Sequence, residues 1–76
     1  MKELIAYIVR NLVEKPDAVD VREVAGDKAQ VYEVRVDAAD LGKVIGKQGR
    51  TIRSVRTLVS AAASRDGKRT TVEVVD

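Results

Sequence analysis

Apolar residues recur at helical spacing near the start of the chain, whereas charged residues lie off that stripe. The apolar positions are Leu4, Ile5, Ile8, Leu12 and Val13. The pattern predicts an amphipathic helix over residues 2–14. Pro16 is expected to end it, because proline disfavours a helical backbone in the residue before it.

Alternation of apolar and polar residues predicts three strands. The clearest is "QVYEVRVD", in which Tyr32, Val34 and Val36 share one face and the charged residues share the other. Residues 18–25, "AVDVREVA", alternate less regularly and predict a second strand, with a turn at "GDK" over residues 26–28. After a further turn at "DGK", residues 66–68, the segment "TTVEVV" predicts a third strand with its central valines directed inward.

Two helices are expected between the second and third strands. Asp37 or Asp40 can cap a short helix that runs to about Ile45. After Gly49 a longer helix is expected to reach about Ser64, and its apolar arc at 100° per residue comprises Ile52, Val55, Val59, Ala62 and Ala63. The predicted order is helix, strand, strand, helix, helix, strand. It gives one α+β domain over residues 1–76, with helices packed on a sheet.

The composition argues against an enzyme. The 76 residues include no Cys and no His, so disulfides, thiolate metal sites and histidine general bases are excluded. Ser54, Ser60 and Ser64 have no histidine to activate them, and Asp17 and Asp20 do not form a metal-like cluster. We therefore expect a non-catalytic protein without metal or cofactor.

The apolar N-terminal run "LIAYIV" is bounded by charged residues at both ends, Glu3 and Arg10. It is too short to span a bilayer and lacks a small-residue cleavage site. A cytoplasmic location with no membrane partner is the expectation.

Positive charge is concentrated in one segment. The net charge is only +2, but residues 41–65 contain six basic side chains and no acidic one. The basic residues are Lys43, Lys47, Arg50, Arg53, Arg56 and Arg65. This distribution is consistent with either a localised anionic partner or a solvated helix face.

Within this segment, "GKVIGKQGR" places glycines at the junction of the two expected helices. Gly46 and Gly49 permit a sharp reversal, after which the second helix directs its N–H groups and positive dipole end at the loop. Lys47 and Arg50 add positive charge there. Arg50 opposes the helix dipole, and a bound phosphate would reconcile the two. The alternative is a tight helix–helix turn in which lysine serves only solubility.

Two common phosphate motifs do not fit this loop. A P-loop needs one more residue between its glycines and a Ser or Thr at Gln48, and a dinucleotide fingerprint needs glycine at Val44. Nucleotide hydrolysis is therefore not expected.

The segment "GKVIGKQGRTI" followed by a helix resembles the core motif of KH domains, I-G-x-x-G-x-x-I. The whole chain is similar to the KhpA family of small, single-domain bacterial KH proteins. The resemblance implies the type II KH fold, a three-stranded sheet with three helices on one face. It also implies a post-transcriptional RNA chaperone or regulator. Single-stranded RNA, or single-stranded DNA, would lie in a groove. One wall of the groove would be the two helices with their loop, and the other would be an edge of the sheet.

Residue roles follow from that resemblance by position. Gly46, Lys47, Gln48 and Gly49 would hold the sugar-phosphate backbone. Ile45 and Ile52 would form an aliphatic floor with Val36 beside them, although each also suits the core. Independently of the resemblance, helix geometry suggests further phosphate contacts for Lys43, Arg50 and Arg53, and for Arg53 extension over the edge of the core is the equal alternative. Arg56 is expected to extend over the edge of the core instead.

The outer face of the long helix carries small residues beside one leucine. Close approach of a second helix through Ser54, Leu58 and Ala61 is the hypothesis, and a solvated face is the alternative. The resemblance also implies a homodimer or a heterodimer with a larger, KhpB-like KH protein. Two other functions stay open: a helix-turn-helix DNA binder that uses residues 50–64, and a protein-interaction scaffold with a vestigial loop.

Overall fold

The computed structural model describes residues 1–26, 29–63 and 69–75. In chain order these residues form α1 (Lys2–Arg10), β1 (Asp20–Ala25), β2 (Ala29–Arg35), α2 (Leu41–Ile45), α3 (Arg50–Ala63) and β3 (Arg69–Val75). Short 3₁₀ turns span Pro16–Ala18, Ala38–Asp40 and Lys47–Gly49. The predicted order and the α+β class are confirmed. The predicted turn at 66–68, the predicted helix end at Ser64 and most of the turn at 26–28 lie outside the described residues.

The three strands form one mixed sheet in the order β1-β2-β3. β1 and β2 pair antiparallel, with Val21 opposite Val34, whereas β2 and β3 pair parallel, with Tyr32 opposite Val72. A parallel neighbour cannot be reached through a tight hairpin, so the chain crosses back through α2 and α3. β3 therefore becomes an edge strand along which α3 packs.

One face of the sheet is covered by the three helices, as predicted. The strands contribute Val21, Tyr32, Val34 and Val72 to the core, and the helices contribute Ile5, Val9, Val44, Ile52, Val55 and Val59. Val36 and Val74 are only partly buried against it. Ala62 was predicted on the apolar arc but is exposed, because it lies at the margin of the arc near the end of α3.

The first helix ends earlier than the apolar pattern predicted, at Arg10 and not at residue 14. The backbone tightens at this end, because the N–H of Leu12 donates three residues back to the carbonyl of Val9 at 2.9 Å. The side chain of Asn11 adds to it, since its Nδ2 donates at 2.7 Å to the carbonyl of Tyr7, which the backbone N–H of Asn11 also approaches at 3.3 Å. Leu12 and Val13 still pack against the core, which explains why the pattern continues past the helix. Pro16 begins a 3₁₀ turn rather than ending α1, and β1 accordingly begins at Asp20 and not at residue 18.

Asp40 is the buried charged side chain among the described residues, with 1% of its surface exposed. It does not cap α2; its two carboxylate oxygens accept the backbone N–H groups of Glu14 and Lys15 at 3.2 and 3.0 Å. Asp37 is the residue that caps, accepting from the N–H of Ala39 in the preceding 3₁₀ turn. Asp40 therefore ties the segment after α1 to the start of α2.

Burial by itself would raise the pKa of Asp40. The hydrogen bonds from Glu14 and Lys15 and the charge of Lys43 outweigh that effect, so the pKa of this carboxyl is lowered. The carboxylate is thus the form that the fold stabilises.

Three positive φ angles make the turn between α2 and α3. They belong to Gly46 (φ 77°, ψ 170°), Gln48 (φ 56°, ψ 28°) and Gly49 (φ 73°). The backbone of Gly46 lies in a region that is essentially restricted to glycine. A Cβ there would also collide with the side chain of Thr51 and lie 2.8 Å from its backbone N. At Gly49 the space for a Cβ is open. The two glycines are therefore required for different reasons.

We predict that Gly46→Ala lowers the free energy of unfolding by about 2–4 kcal/mol, because it adds a backbone collision to a disallowed φ. Gly49→Ala should cost only about 1 kcal/mol, the penalty of positive φ alone. Gly42→Ala is the matched control: it lies inside α2 with nothing within 4 Å of an added Cβ. Gly42→Ala should raise the free energy of unfolding by about 0.5–1 kcal/mol. Urea denaturation measures all three, and equal losses at Gly46 and Gly49 would contradict the steric account.

We predict that Asp40→Asn lowers Tm by about 5–10 °C at pH 7, because an amide cannot accept both N–H groups with its two terminal atoms. The lowered pKa means that the contribution of Asp40 is present above the unfolded carboxyl's pKa of about 3.9 and is lost as pH falls through the folded value. The difference in Tm between the parent and Asp40→Asn should therefore become smaller below about pH 4.

Asp17→Asn is the control for this comparison, since Asp17 is exposed in a 3₁₀ turn and should change Tm by less than about 2 °C. Thermal unfolding followed by circular dichroism between pH 3 and pH 7 measures both variants. If the Tm difference between the parent and Asp40→Asn did not change with pH, the role given to the carboxylate would be refuted.

Candidate nucleic-acid interface

The turn between α2 and α3 directs the first turn of α3 outward. A helix leaves its first N–H groups without intrahelical partners, and α3 has no acidic side chain in its first turn to offset the dipole. Lys47 and Gln48 are exposed at the tip of the turn, and Gly46 and Gly49 are half-buried on either side. The N–H groups of Gly49 and Arg50 donate within the loop, to the carbonyls of Gly46 and Lys47. The positive end of the α3 dipole and the mobile charge of Lys47 are what chiefly favour an anion here.

A contact between Arg56 and the edge strand fixes how α3 is turned. Its Nε donates to the carbonyl of Val72 in β3 at 2.9 Å. At 100° per residue, Arg53 lies about 60° from Arg56 toward solvent, and Arg50 about 60° further. The three arginines therefore form a stepped row from the loop to the edge of the sheet.

The predicted contact residues divide between surface and core. Lys47, Gln48, Arg50 and Arg53 are exposed, and Ile45 is a large apolar side chain on the surface beside the loop, 36% exposed. Ile52 instead lies in the core and is 7% exposed. A floor made by both isoleucines would therefore present mainly Ile45 to a ligand, because Ile52 is buried in the core.

Lys43 is placed differently from the other basic residues of the segment. Its Nζ lies 2.9 Å from Oε1 of Glu14 and 3.7 Å from Oδ1 of Asp40. The hydrogen bond to Glu14 is the main reason that the pKa of Lys43 is raised. The charge of Lys43 is thus already partly compensated within the fold. Sequence reasoning missed Glu14 because it is distant along the chain, and it missed Asp40, three residues away, because Asp40 was considered only as a helix cap.

The remaining cations of the row keep their charge available. Ion pairs between described residues use Lys15, Arg22 and Lys43, and none of them involves Lys47, Arg50, Arg53 or Arg56. No acidic residue occurs between Leu41 and Ala63. The potential along this side of α3 is therefore positive from the loop to β3.

The side of α3 away from β3 has a different character. Leu58 is 59% exposed there. The hydroxyls of Ser54 and Thr57 donate to the carbonyls of Arg50 and Arg53, each at 3.0 Å, so they are satisfied within the helix. Ser54, Leu58 and Ala61 thus form a low-polarity surface that borders Arg50, the residue four before Ser54, and lies on the far side of α3 from Arg56.

In the part of the chain that the structure describes, no helix has the length and apolarity needed to cross a membrane.

Comparison with known proteins places this geometry in a family. The family model "KhpA/KhpB, KH domain" matches residues 2–74. The RNA-binding protein KhpA of Chlamydia trachomatis serovar D is 49% identical over the whole chain and 97% of its own length. That of Clostridium perfringens is 47% identical over 99% of this chain and all of its own length. That of Borreliella burgdorferi is 42% identical over 97% of this chain and 90% of its own. The chain belongs to the KhpA/KhpB family of KH domains.

Proposed function

We propose that this chain is a non-catalytic protein that binds single-stranded RNA through the GKQG loop, Gly46–Gly49. The observation that carries the proposal is the turn itself, in which positive φ angles expose the start of α3 between uncompensated cations. Family membership and the relatives named RNA-binding protein KhpA support it.

The strand would lie between two walls. The loop, the exposed Ile45 and the arginine side of α3 form one wall, and the edge strand β3 forms the other. Phosphates would meet the loop amides, Lys47 and Arg50, while bases would meet Ile45 and the edge of the sheet. Residues 41–65, the basic segment, contain no aromatic side chain. Recognition would therefore use aliphatic contact and backbone polar groups instead of base stacking.

Because a single site makes few phosphate contacts, its affinity would be modest and salt-dependent. This suits a cytoplasmic RNA chaperone or post-transcriptional regulator, which must release its RNA. Single-stranded DNA is the alternative ligand. A helix-turn-helix mode is disfavoured because α3 packs along a sheet edge and is not free to enter a major groove.

A second surface would join two copies of the domain. Leu58, with Ser54 and Ala61, offers an exposed apolar side chain among small residues, which allows close helix–helix approach. The partner would be a second copy or a larger, KhpB-like KH protein, as the family name suggests. Leu58 lies about 160° from Arg56 around α3, so the side of the helix that faces β3 would stay open to RNA in both copies. The linkage of two sites would raise the apparent affinity.

We predict that the double substitution Lys47→Asp with Gln48→Asp weakens binding of a short single-stranded RNA at least about tenfold, because it places two carboxylates where phosphate would lie. Fluorescence anisotropy at one fixed salt concentration measures the affinity. Both side chains are exposed, so Tm should change by less than about 3 °C.

The matched control is Lys2→Asp with Ala18→Asp, which changes the net charge by the same amount at exposed positions away from the loop. It should reduce affinity by less than about twofold. A loop variant that binds RNA as tightly as the parent would favour the interaction scaffold. Tighter binding of duplex DNA than of single-stranded RNA would favour the helix-turn-helix mode.

We predict that Leu58→Asp converts a dimer into a monomer of 8.3 kDa, as measured by light scattering. A carboxylate buried between two helices would lack a partner. Val24→Asp, at an exposed apolar position on the open face of the sheet, is the control and should leave the mass of the parent. A mass that Leu58→Asp leaves unchanged would argue against this surface.

A further inference from the structure

The guanidinium of Arg56 is held in place on the edge of the sheet. Its Nε donates to the carbonyl of Val72 at 2.9 Å, which joins the middle of α3 to β3. A guanidinium carries five N–H donors in one rigid plane, so this anchor leaves the four donors on the two Nη atoms. The side chain is otherwise exposed.

The surroundings of Arg56 leave those donors for a ligand. Within the described residues no ion pair involves Arg56, and α3 itself carries no acidic side chain. The cation was expected only to extend over the core, yet the structure gives it a fixed position and orientation. A side chain held in this way loses little conformational entropy when it binds.

The place of Arg56 differs from that of the loop cations. It lies about 9 Å along the helix axis from Arg50 and is rotated by about 120° toward β3. A strand whose phosphates are held at the loop would direct its bases toward this seam between α3 and β3. Arg56 therefore meets the part of the strand that carries sequence information.

We propose that Arg56 recognises a base, and that the base is guanine. Two Nη donors at the end of a planar fork match the O6 and N7 acceptors of guanine, which an unstacked base in single-stranded RNA presents on its Hoogsteen edge. The inference rests on the proposed function, since it deepens the same RNA site from backbone binding to base selection.

The test compares three short single-stranded RNAs: all-uridine, the same RNA with one guanosine, and the same RNA with 7-deazaguanosine, which lacks the N7 acceptor. The parent should bind the guanosine RNA about 5–20-fold more tightly than the all-uridine RNA. The 7-deaza substitution should remove a large part of that difference.

Arg56→Lys should abolish the preference for guanosine, because lysine keeps the charge but lacks the fork. Affinity for the all-uridine RNA should fall much less than affinity for the guanosine RNA, because the charge is kept. Urea denaturation of the variant shows that it is folded. Arg53→Lys is the matched control on the same helix and should retain the preference.

Three outcomes would overturn the inference: a parent without preference, a preference that survives in Arg56→Lys, or an equal loss of all RNAs in that variant. The last would assign Arg56 to phosphate contact or to shielding the strand edge. Failure of the proposed function is distinguishable, because the parent would then bind none of the three RNAs. That result would also refute the contact between Arg56 and a base.

Discussion

The absence of a side chain at Gly46 is the constraint on which the rest of the molecule depends. The chain must reverse between α2 and α3 within four residues, and the backbone N of Thr51 occupies the space that a Cβ would need. Only with this reversal can α3 pack along β3 while its first turn points to solvent. The location of the candidate site is thus a result of packing, and the same glycine serves both stability and access.

The short helix before this turn could not hold its position alone. α2 has five residues, far fewer than an isolated helix needs to be stable in water. It is held at its start by the contacts of Asp40 with Glu14 and Lys15, and near its end by the buried Val44. The loop between two fixed helices is therefore largely preorganised. A preorganised site gives up less entropy on binding, which matters for a small domain with few contacts to offer.

Local pattern was sufficient to predict the six main elements, because apolar periodicity records which face of each element is buried. The glycine pair likewise marked the turn, since its conformation is set within a few residues. Contacts between distant segments were not accessible in this way. Nothing near Lys43 in the sequence indicates Glu14 as its partner, and nothing near Arg56 indicates the carbonyl of Val72. The end of α1 was misplaced for a local reason, because the backbone tightens to an i→i−3 hydrogen bond at Leu12 while the apolar pattern continues to Val13.

The parallel pairing of β2 with β3 has a consequence for the order of events during synthesis. β1 and β2 are neighbours in sequence and can pair as soon as about half of the chain has left the ribosome. β3 reaches the same central strand only after both crossover helices have been made, and until then Val34 and Tyr32 lack Val72 and Val74 beside them. Such non-local pairing is slow compared with local contacts. The nascent domain would therefore pass through a stage with an exposed strand edge, and during that stage it is most open to aggregation or to capture by a chaperone.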